Sequence, residues 1–316
     1  MVVLAPAPQL TMTAEELDGQ PDIHVHAGGQ GVWQARMISS LGATVVLCAT
    51  VGGETGQVLR HLLGGQDIEP HLRKVSGRNG AYFHDRREGS RDELVEMPAD
   101  PLQRHELDDL YELTLVYALQ AGIAVLAGPP GDGIVPHSLY CRLTADLTGN
   151  GCHVLVDLSG ERLSAALEGG PSFVKVSHEE LISDGRADSH RLADLVAAMR
   201  KIAEYGPQAV LVSRAAEPAI ALVQGKLYAV HVPRLHPVDT RGGGDSMTAG
   251  VAASLAQGEP IETALRVGGA AGALNIGRHG LGTGSREAVR ALTDRVELRP
   301  IDDTIDSDEE RLAGRK

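Results

Sequence analysis

The sequence predicts an α/β protein: a mostly parallel central sheet covered by helices on both faces, with a small separate β-sheet beside it. Three observations lead there. Short runs of branched apolar residues recur along the chain, amphipathic stretches of helical length separate them, and glycine is abundant at 38 of 316 residues, which suits many tight strand-to-helix turns.

The elements follow in order. Ala43 to Ala49 reads as a buried strand, and so do Gly122 to Leu126, Val154 to Val156, Phe173 to Val176 and Ala209 to Val212. Helical candidates lie between them at Gln34 to Leu41, Gly56 to Leu63, Pro136 to Thr148 and His190 to Glu204. The segment Gly80 to Pro98 differs. Ala81 to Asp85 and Glu93 to Met97 flank a charged turn, which predicts a hairpin with one polar face, and His24-Val25-His26 is expected to pair with it. A small exposed sheet of this kind, from about 8–27 and 76–98, makes a natural lid over a site that must exclude water. Residues 301–316 are charged and poor in apolar side chains, which predicts a disordered tail.

Composition narrows the function classes. The core must be aliphatic, since the chain holds two Phe and one Trp. A formal charge of −13 argues against nucleic acid or an anionic membrane as the main partner. Cys48, Cys141 and Cys152 form no CxxC pair, so reduced thiols are expected rather than a disulfide framework or a zinc site. No basic n-region opens the chain and no apolar run reaches spanning length, so a cytoplasmic protein is expected.

The chemistry concentrates at Asp239-Thr240-Arg241-Gly242-Gly243-Gly244-Asp245-Ser246. Three glycines let backbone N–H groups converge. Met247, Val251 and Leu255 then form one helical stripe, and Gly258 marks a stop. A glycine loop entering a helix N-terminus binds anions. Asp245 would repel a phosphate held there, yet it suits a base that takes the proton of an attacking hydroxyl; it also reads as a simple helix cap. There is no Gly-x-x-x-x-Gly-Lys-Ser/Thr loop, and Gly280-Leu281-Gly282-Thr283-Gly284 lies too late for a dinucleotide fingerprint.

These residues resemble the PfkB (ribokinase-like) carbohydrate kinases. Asp239 to Asp245 matches that family's Asp-Thr-x-Gly-Ala-Gly-Asp with Gly243 in place of Ala. Gly28-Gly29-Gln30-Gly31, Ser40-Leu41-Gly42 and Val51-Gly52-Gly53 match its N-terminal signature. Asp157-Leu158-Ser159-Gly160 and Val174-Lys175-Val176-Ser177-His178-Glu179-Glu180-Leu181 are similar to the 1-phosphofructokinase and tagatose-6-phosphate kinase branch. The register holds from about Val3 to Leu298.

The resemblance implies a ribokinase-like three-layer α/β/α sandwich with a β lid, in one kinase domain over 1–300. It implies ATP-dependent phosphorylation of a hydroxyl on a sugar or sugar phosphate. Asp245 would be the base, with Gly242, Gly243 and Gly244 as anion hole. Lys175, Ser177, Ser213, Thr240, Asn275 and Gly282 would border ATP. Glu180 would act on Mg2+ through water, and carbonyls near Asp239 and Arg241 would hold a monovalent cation such as K+. Substrate would meet Gln9, Gly28, Gly29, Gln30, Trp33 and Asn79, and a homodimer through the lid is implied.

The departures cluster on the substrate side. Gln9 stands where the family has the Asp that grips sugar hydroxyls, Gln30 replaces Lys, Trp33 replaces Asn, and Arg78-Asn79 aligns loosely with a phosphate-contacting Thr-Arg. Gln cannot replace a carboxylate acceptor or a cation, so restoring Asp at position 9 is expected to improve the grip on an ordinary sugar. Arg78, Arg86, Arg87 and Arg91 form either an anion clamp or a solvated face. Ser177, Ala215 and Pro218 replace nucleotide-side residues. A kinase of a nucleoside or another hydroxylated metabolite therefore stays open. So does a metabolite-binding pseudokinase, although a pure sensor has no need of Asp245.

Overall fold

The computed structural model describes residues 1–88, 92–278 and 281–301. The chain opens with β1 (Val2–Ala5), β2 (Gln9–Leu17), β3 (Gln20–Gly28), α1 (Gln30–Ser40), β4 (Val46–Val51), α2 (Gly53–Gly64) and β5 (Glu69–Lys74). It continues through β6 (Ala81–Asp85), β7 (Asp92–Met97), α3 (Arg104–Ala121), β8 (Ile123–Ala127), α4 (His137–Gly149), β9 (His153–Asp157), α5 (Gly160–Glu168), β10 (Phe173–Ser177) and α6 (His178–Ser183). It closes with α7 (Leu192–Ala203), β11 (Ala209–Arg214), β12 (Glu217–Val223), β13 (Lys226–His231), α8 (Gly243–Ala256), α9 (Ile261–Ile276), α10 (Arg286–Thr293) and β14 (Glu297–Pro300).

The 10-stranded sheet runs β14-β13-β12-β11-β10-β9-β8-β1-β4-β5. The strands from β11 to β5 in this order pair in parallel, and β12, β13 and β14 extend the sheet antiparallel. Each buried strand feeds both faces, because successive side chains alternate. Val2 and Leu4 belong to the buried cluster on one face with Leu143 of α4 and Leu195 of α7, while Val3 and Ala5 belong to the cluster on the other face with Val32 of α1 and Val251 of α8. Helices thus cover both sides of the sheet, as the continuous apolar runs predict. Fully burying a Val or Leu is worth about 1.5–3 kcal/mol, so many aliphatics replace the missing aromatics.

The strand expected over Ala43 to Ala49 begins later, at Val46, where its N–H first meets the Met1 carbonyl. The stop at Gly258 is borne out: α8 ends at Ala256, and Gly258 takes φ +79. Helix α9 was hidden in the sequence because its buried face is Gly268, Gly269, Ala270, Ala271 and Gly272. Glycine is needed there for close approach to α8: a Cβ on Gly250 would lie 2.8 Å from the Gly268 Cα.

The second sheet runs β3-β2-β6-β7. The expected hairpin is present as antiparallel β6 and β7, but His24 to His26 does not pair with it. β3 pairs with β2, and β2 lies between β3 and β6. One face of this sheet is polar, with Thr11, Thr13, Tyr82 and His84; the other carries Met12, Ile23, Val25, Phe83 and Val95. The tail beyond Ile301, together with Arg91 and Gly280, falls outside the described residues.

Candidate active site

The small sheet faces the carboxyl ends of the parallel strands, where open α/β sheets bind ligands. Between them lies a cavity of about 360 Å³. The small sheet contributes Gln9, Thr11, Tyr82, Glu93 and Glu96. Gly29, Gln30 and Trp33 come from the start of α1. Gly128 to Pro130 follow β8, Asp157 ends β9, and Ser159 and Arg162 follow it; Glu180 and Arg241 complete the wall.

Helix α8 brings its N-terminus to the edge of this cavity, where Asp245 is hydrogen-bonded to Gln30 of the wall. Its cap is Gly242 in the left-handed conformation, φ 69, and Asp245 lies inside the first turn. The cap reading of Asp245 is therefore replaced: the cap position belongs to a glycine, and first-turn N–H groups have no intrahelical acceptor. A Cβ would meet the Ile276 Cγ2 at 3.0 Å from Gly243 and the Lys175 Nζ at 2.6 Å from Gly244. Lys175, in the middle of β10, thus sets the tip of its side chain against Gly244, with Ser213 of β11 beside it.

Lys175 Nζ donates to Asp157 Oδ1 at 3.1 Å. Asp157 Oδ2 accepts from Gln34 Nε2 at 2.9 Å and Thr248 Oγ1 at 2.7 Å. Burial works against the Lys175 charge, but Asp157, Glu180 and Asp245 outweigh it and hold the ammonium pKa above the ordinary value. Asp245 moves the other way. Burial, then the Asp157 charge, push its carboxyl up to about 7, against Lys175 and a hydrogen bond from Gln30. A carboxylate poised near neutrality, with a fixed ammonium and open amides beside it, can accept a hydroxyl proton and stabilise a transferring anion.

The substitutions at Gln30 and Ser177 have local reasons. Gln30 bonds Asp245 and accepts from Gly128 N–H at 2.9 Å, so it bridges Asp245 to the β8 loop. Ser177 caps α6: its hydroxyl accepts from Glu180 N–H while Glu180 Oε2 accepts from Ser177 N–H at 2.7 Å. That box turns Glu180 to the cavity edge. Ala215 keeps φ 46 in the two-residue turn between β11 and β12, a conformation that favours glycine.

Other expected residues are placed differently. Asn79 is 2% exposed; its amide donates to the Pro8 and Thr50 carbonyls and accepts from Gly52 N–H, so it braces loops rather than facing the cavity. Gly28 packs on Thr11, where a Cβ would lie 2.3 Å from Oγ1. Gly282 packs on the Trp33 backbone, and its N–H donates to Asn275, which also donates to the Arg241 carbonyl. Asn275 and Gly282 therefore lock the glycine loop to α1, while Thr240 is exposed beside it. Asp239 pairs with Arg86 at 3.3 Å, Arg87 with Asp85 at 2.6 Å, and Arg78 lies 3.8 Å from Asp100. Each of those three arginines faces a carboxylate, so no anion clamp forms from them. Arg162, Tyr82, Glu93 and Glu96 were missed as site residues. Only the tertiary packing of α5 and the small sheet brings them to the cavity.

The family pattern described as pfkB family carbohydrate kinase matches residues 3–288, and the chain belongs to that family. That membership, with the similarity to 1-phosphofructokinases, makes it a phosphotransferase acting on a sugar hydroxyl with ATP as donor. The 1-phosphofructokinase of Bacillus subtilis (strain 168) is 28% identical over 274 residues, covering 86% of this chain and 88% of that protein. The 1-phosphofructokinase of Vibrio cholerae is 26% identical over 299 residues, covering 94% of this chain and 93% of that one. The crystal structure of phosphofructokinase-2 from Escherichia coli in complex with potassium superposes with a TM-score of 0.83 at 26% identity, covering 93% of this chain and 98% of that one. Among the described residues no helix is long and apolar enough to cross a membrane.

Proposed function

We propose that the protein transfers the γ-phosphoryl group of ATP to a hydroxyl of a sugar or sugar phosphate, like the 1-phosphofructokinases it resembles, with Asp245 as general base. The observation that carries this reading is the placement of Asp245 in the first turn of α8, beside the open amides of Gly243 and Gly244 and the Lys175 ammonium. Asp245 takes the acceptor proton as the hydroxyl attacks phosphorus. The first-turn amides and Lys175 stabilise charge on the phosphoryl oxygens. Asp157, with Gln34 and Thr248, holds Lys175 in place.

Mg2+ bound with the nucleotide would neutralise phosphate charge, and Glu180 is the residue that would hold it. No group of three or more His, Cys, Asp or Glu residues is arranged to hold a metal among the described residues, which suits an ion brought in by phosphates rather than caged by protein. The Arg241 carbonyl accepts one bond from Asn275 and keeps a second lone pair, so a K+ site there remains compatible with the donors present. The small sheet acts as lid, and its apolar outer face supports a homodimer. The free, buried thiols of Cys48 and Cys152 suit a reducing cytoplasm.

The test is ATP consumption with Mg2+ against D-fructose, fructose 1-phosphate, fructose 6-phosphate, tagatose 6-phosphate and a nucleoside panel. Turnover of a sugar or sugar phosphate is expected. Turnover of nucleosides alone would replace the substrate class, and tight sugar binding without any turnover would replace catalysis by sensing.

A further inference from the structure

Glu93 and Glu96 stand three residues apart on β7, a spacing that puts side chains on opposite faces of a regular strand. The ladder is irregular between Phe83 and His84, so Tyr82 pairs with Glu96 and His84 pairs with Glu93. Tyr82 and His84 share one face of β6. Both glutamates therefore turn inward, and both line the cavity. A bulge gives up ladder pairing and re-aims side chains.

Neither glutamate has a cation within ion-pair distance among the described residues. The polar partner present is Gln9, whose Nε2 donates to Glu96 Oε1 at 3.2 Å. Gln9 is 8% exposed, so packing fixes the amide that aims the carboxylate. The second Glu96 oxygen is left to meet the cavity.

We propose that Glu96, aimed by Gln9, determines acceptor specificity by taking two neighbouring hydroxyl groups of the sugar, so that the acceptor turns a diol, and not a phosphate, toward the small sheet. An ionised carboxylate only accepts hydrogen bonds, and a diol supplies two donors. A phosphate turned onto the two glutamates would meet two like charges, whereas Arg162 and Arg241 on the wall offer it cations. Any phosphate on the acceptor therefore lies away from Glu93 and Glu96. The inference rests on the reading of the cavity as the acceptor site of Asp245. It also reverses the expectation for Gln9→Asp, which would set a second carboxylate beside Glu96 and loosen the grip.

Steady-state kinetics and calorimetry on the full chain test it, using D-fructose, D-tagatose, fructose 1-phosphate, fructose 6-phosphate and their monodeoxy analogues. For the best acceptor, Glu96→Gln is expected to raise KM by about 10- to 100-fold, with kcat and the KM for ATP held within about two-fold. Gln9→Leu should act in the same direction, and the double variant should add little to Glu96→Gln. A deoxy analogue lacking one hydroxyl of the pair should lose affinity for the wild type and nothing further for Glu96→Gln. An unchanged acceptor KM in Glu96→Gln, while Asp245→Asn abolishes turnover, overturns the inference and leaves the kinase reading standing. Full turnover by Asp245→Asn overturns the kinase reading instead. If no member of the panel binds the wild type more tightly than Glu96→Gln, the inference also fails.

Discussion

Asp245 shows what a carboxylate costs a fold when burial raises its pKa. An unfolded aspartate ionises near pH ~3.9; Asp245 in the folded chain ionises near 7. Between those values the native state holds the extra proton, so stability falls as pH rises from about 4 to about 7 and levels off above. Asp245→Asn removes the buried charge. Its melting temperature should exceed that of the wild type at pH 8, and the gain should shrink toward pH 4. Thermal scans across that range would contradict the burial argument if the variant were less stable at pH 8. Catalysis moves oppositely: kcat/KM should rise with pH through about 7 as the base loses its proton. Lys175→Met should push that limb upward, because it removes the cation that favours ionised Asp245.

At the scale of elements, the sequence was most legible where apolar runs are long and least where packing is made by small residues. The strands at Ile123, His153, Phe173 and Ala209 could be read because continuous β-branched runs fit a sheet buried on both faces. Helix α9 could not, since its packing depends on glycine contacts rather than on a hydrophobic stripe. The glycine loop and Lys175 were legible as motifs. Glu96 and Arg162 were not, because nothing local marks a side chain that reaches the cavity only through a bulge or another helix. Two turns carry testable strain. Ala215→Gly should stabilise the β11–β12 turn by about 0.5–1 kcal/mol, since a left-handed alanine is unfavourable. Gly282→Ala should destabilise by at least about 2 kcal/mol, since φ +64 is strained and the new Cβ would lie 2.4 Å from the Trp33 carbonyl oxygen. Urea unfolding midpoints check both; equal midpoints for Gly282→Ala and wild type would show that α1 and the loop can separate freely.

Across the whole molecule, the two faces of the small sheet divide its roles. The inner face is polar and closes the cavity. The outer face leaves Ile23 65% and Val95 56% exposed, a contiguous apolar surface that a second copy would cover. Sedimentation at micromolar protein should report a dimer, and Ile23→Glu with Val95→Lys should give a monomer. A wild-type monomer would leave that face without the proposed partner. Arg86, which follows β6, links this sheet to the segment before the glycine loop through Asp239 and the Val238 carbonyl.

The central claim is that Asp245 takes the proton from the acceptor hydroxyl. Its most direct measurement is the rate of phosphoryl transfer by Asp245→Asn under saturating ATP, Mg2+ and acceptor. Loss of a positioned base lowers kcat by about 10²–10⁴, and binding of ATP and acceptor should persist. A variant that binds both and transfers phosphate at the wild-type rate would contradict the assignment.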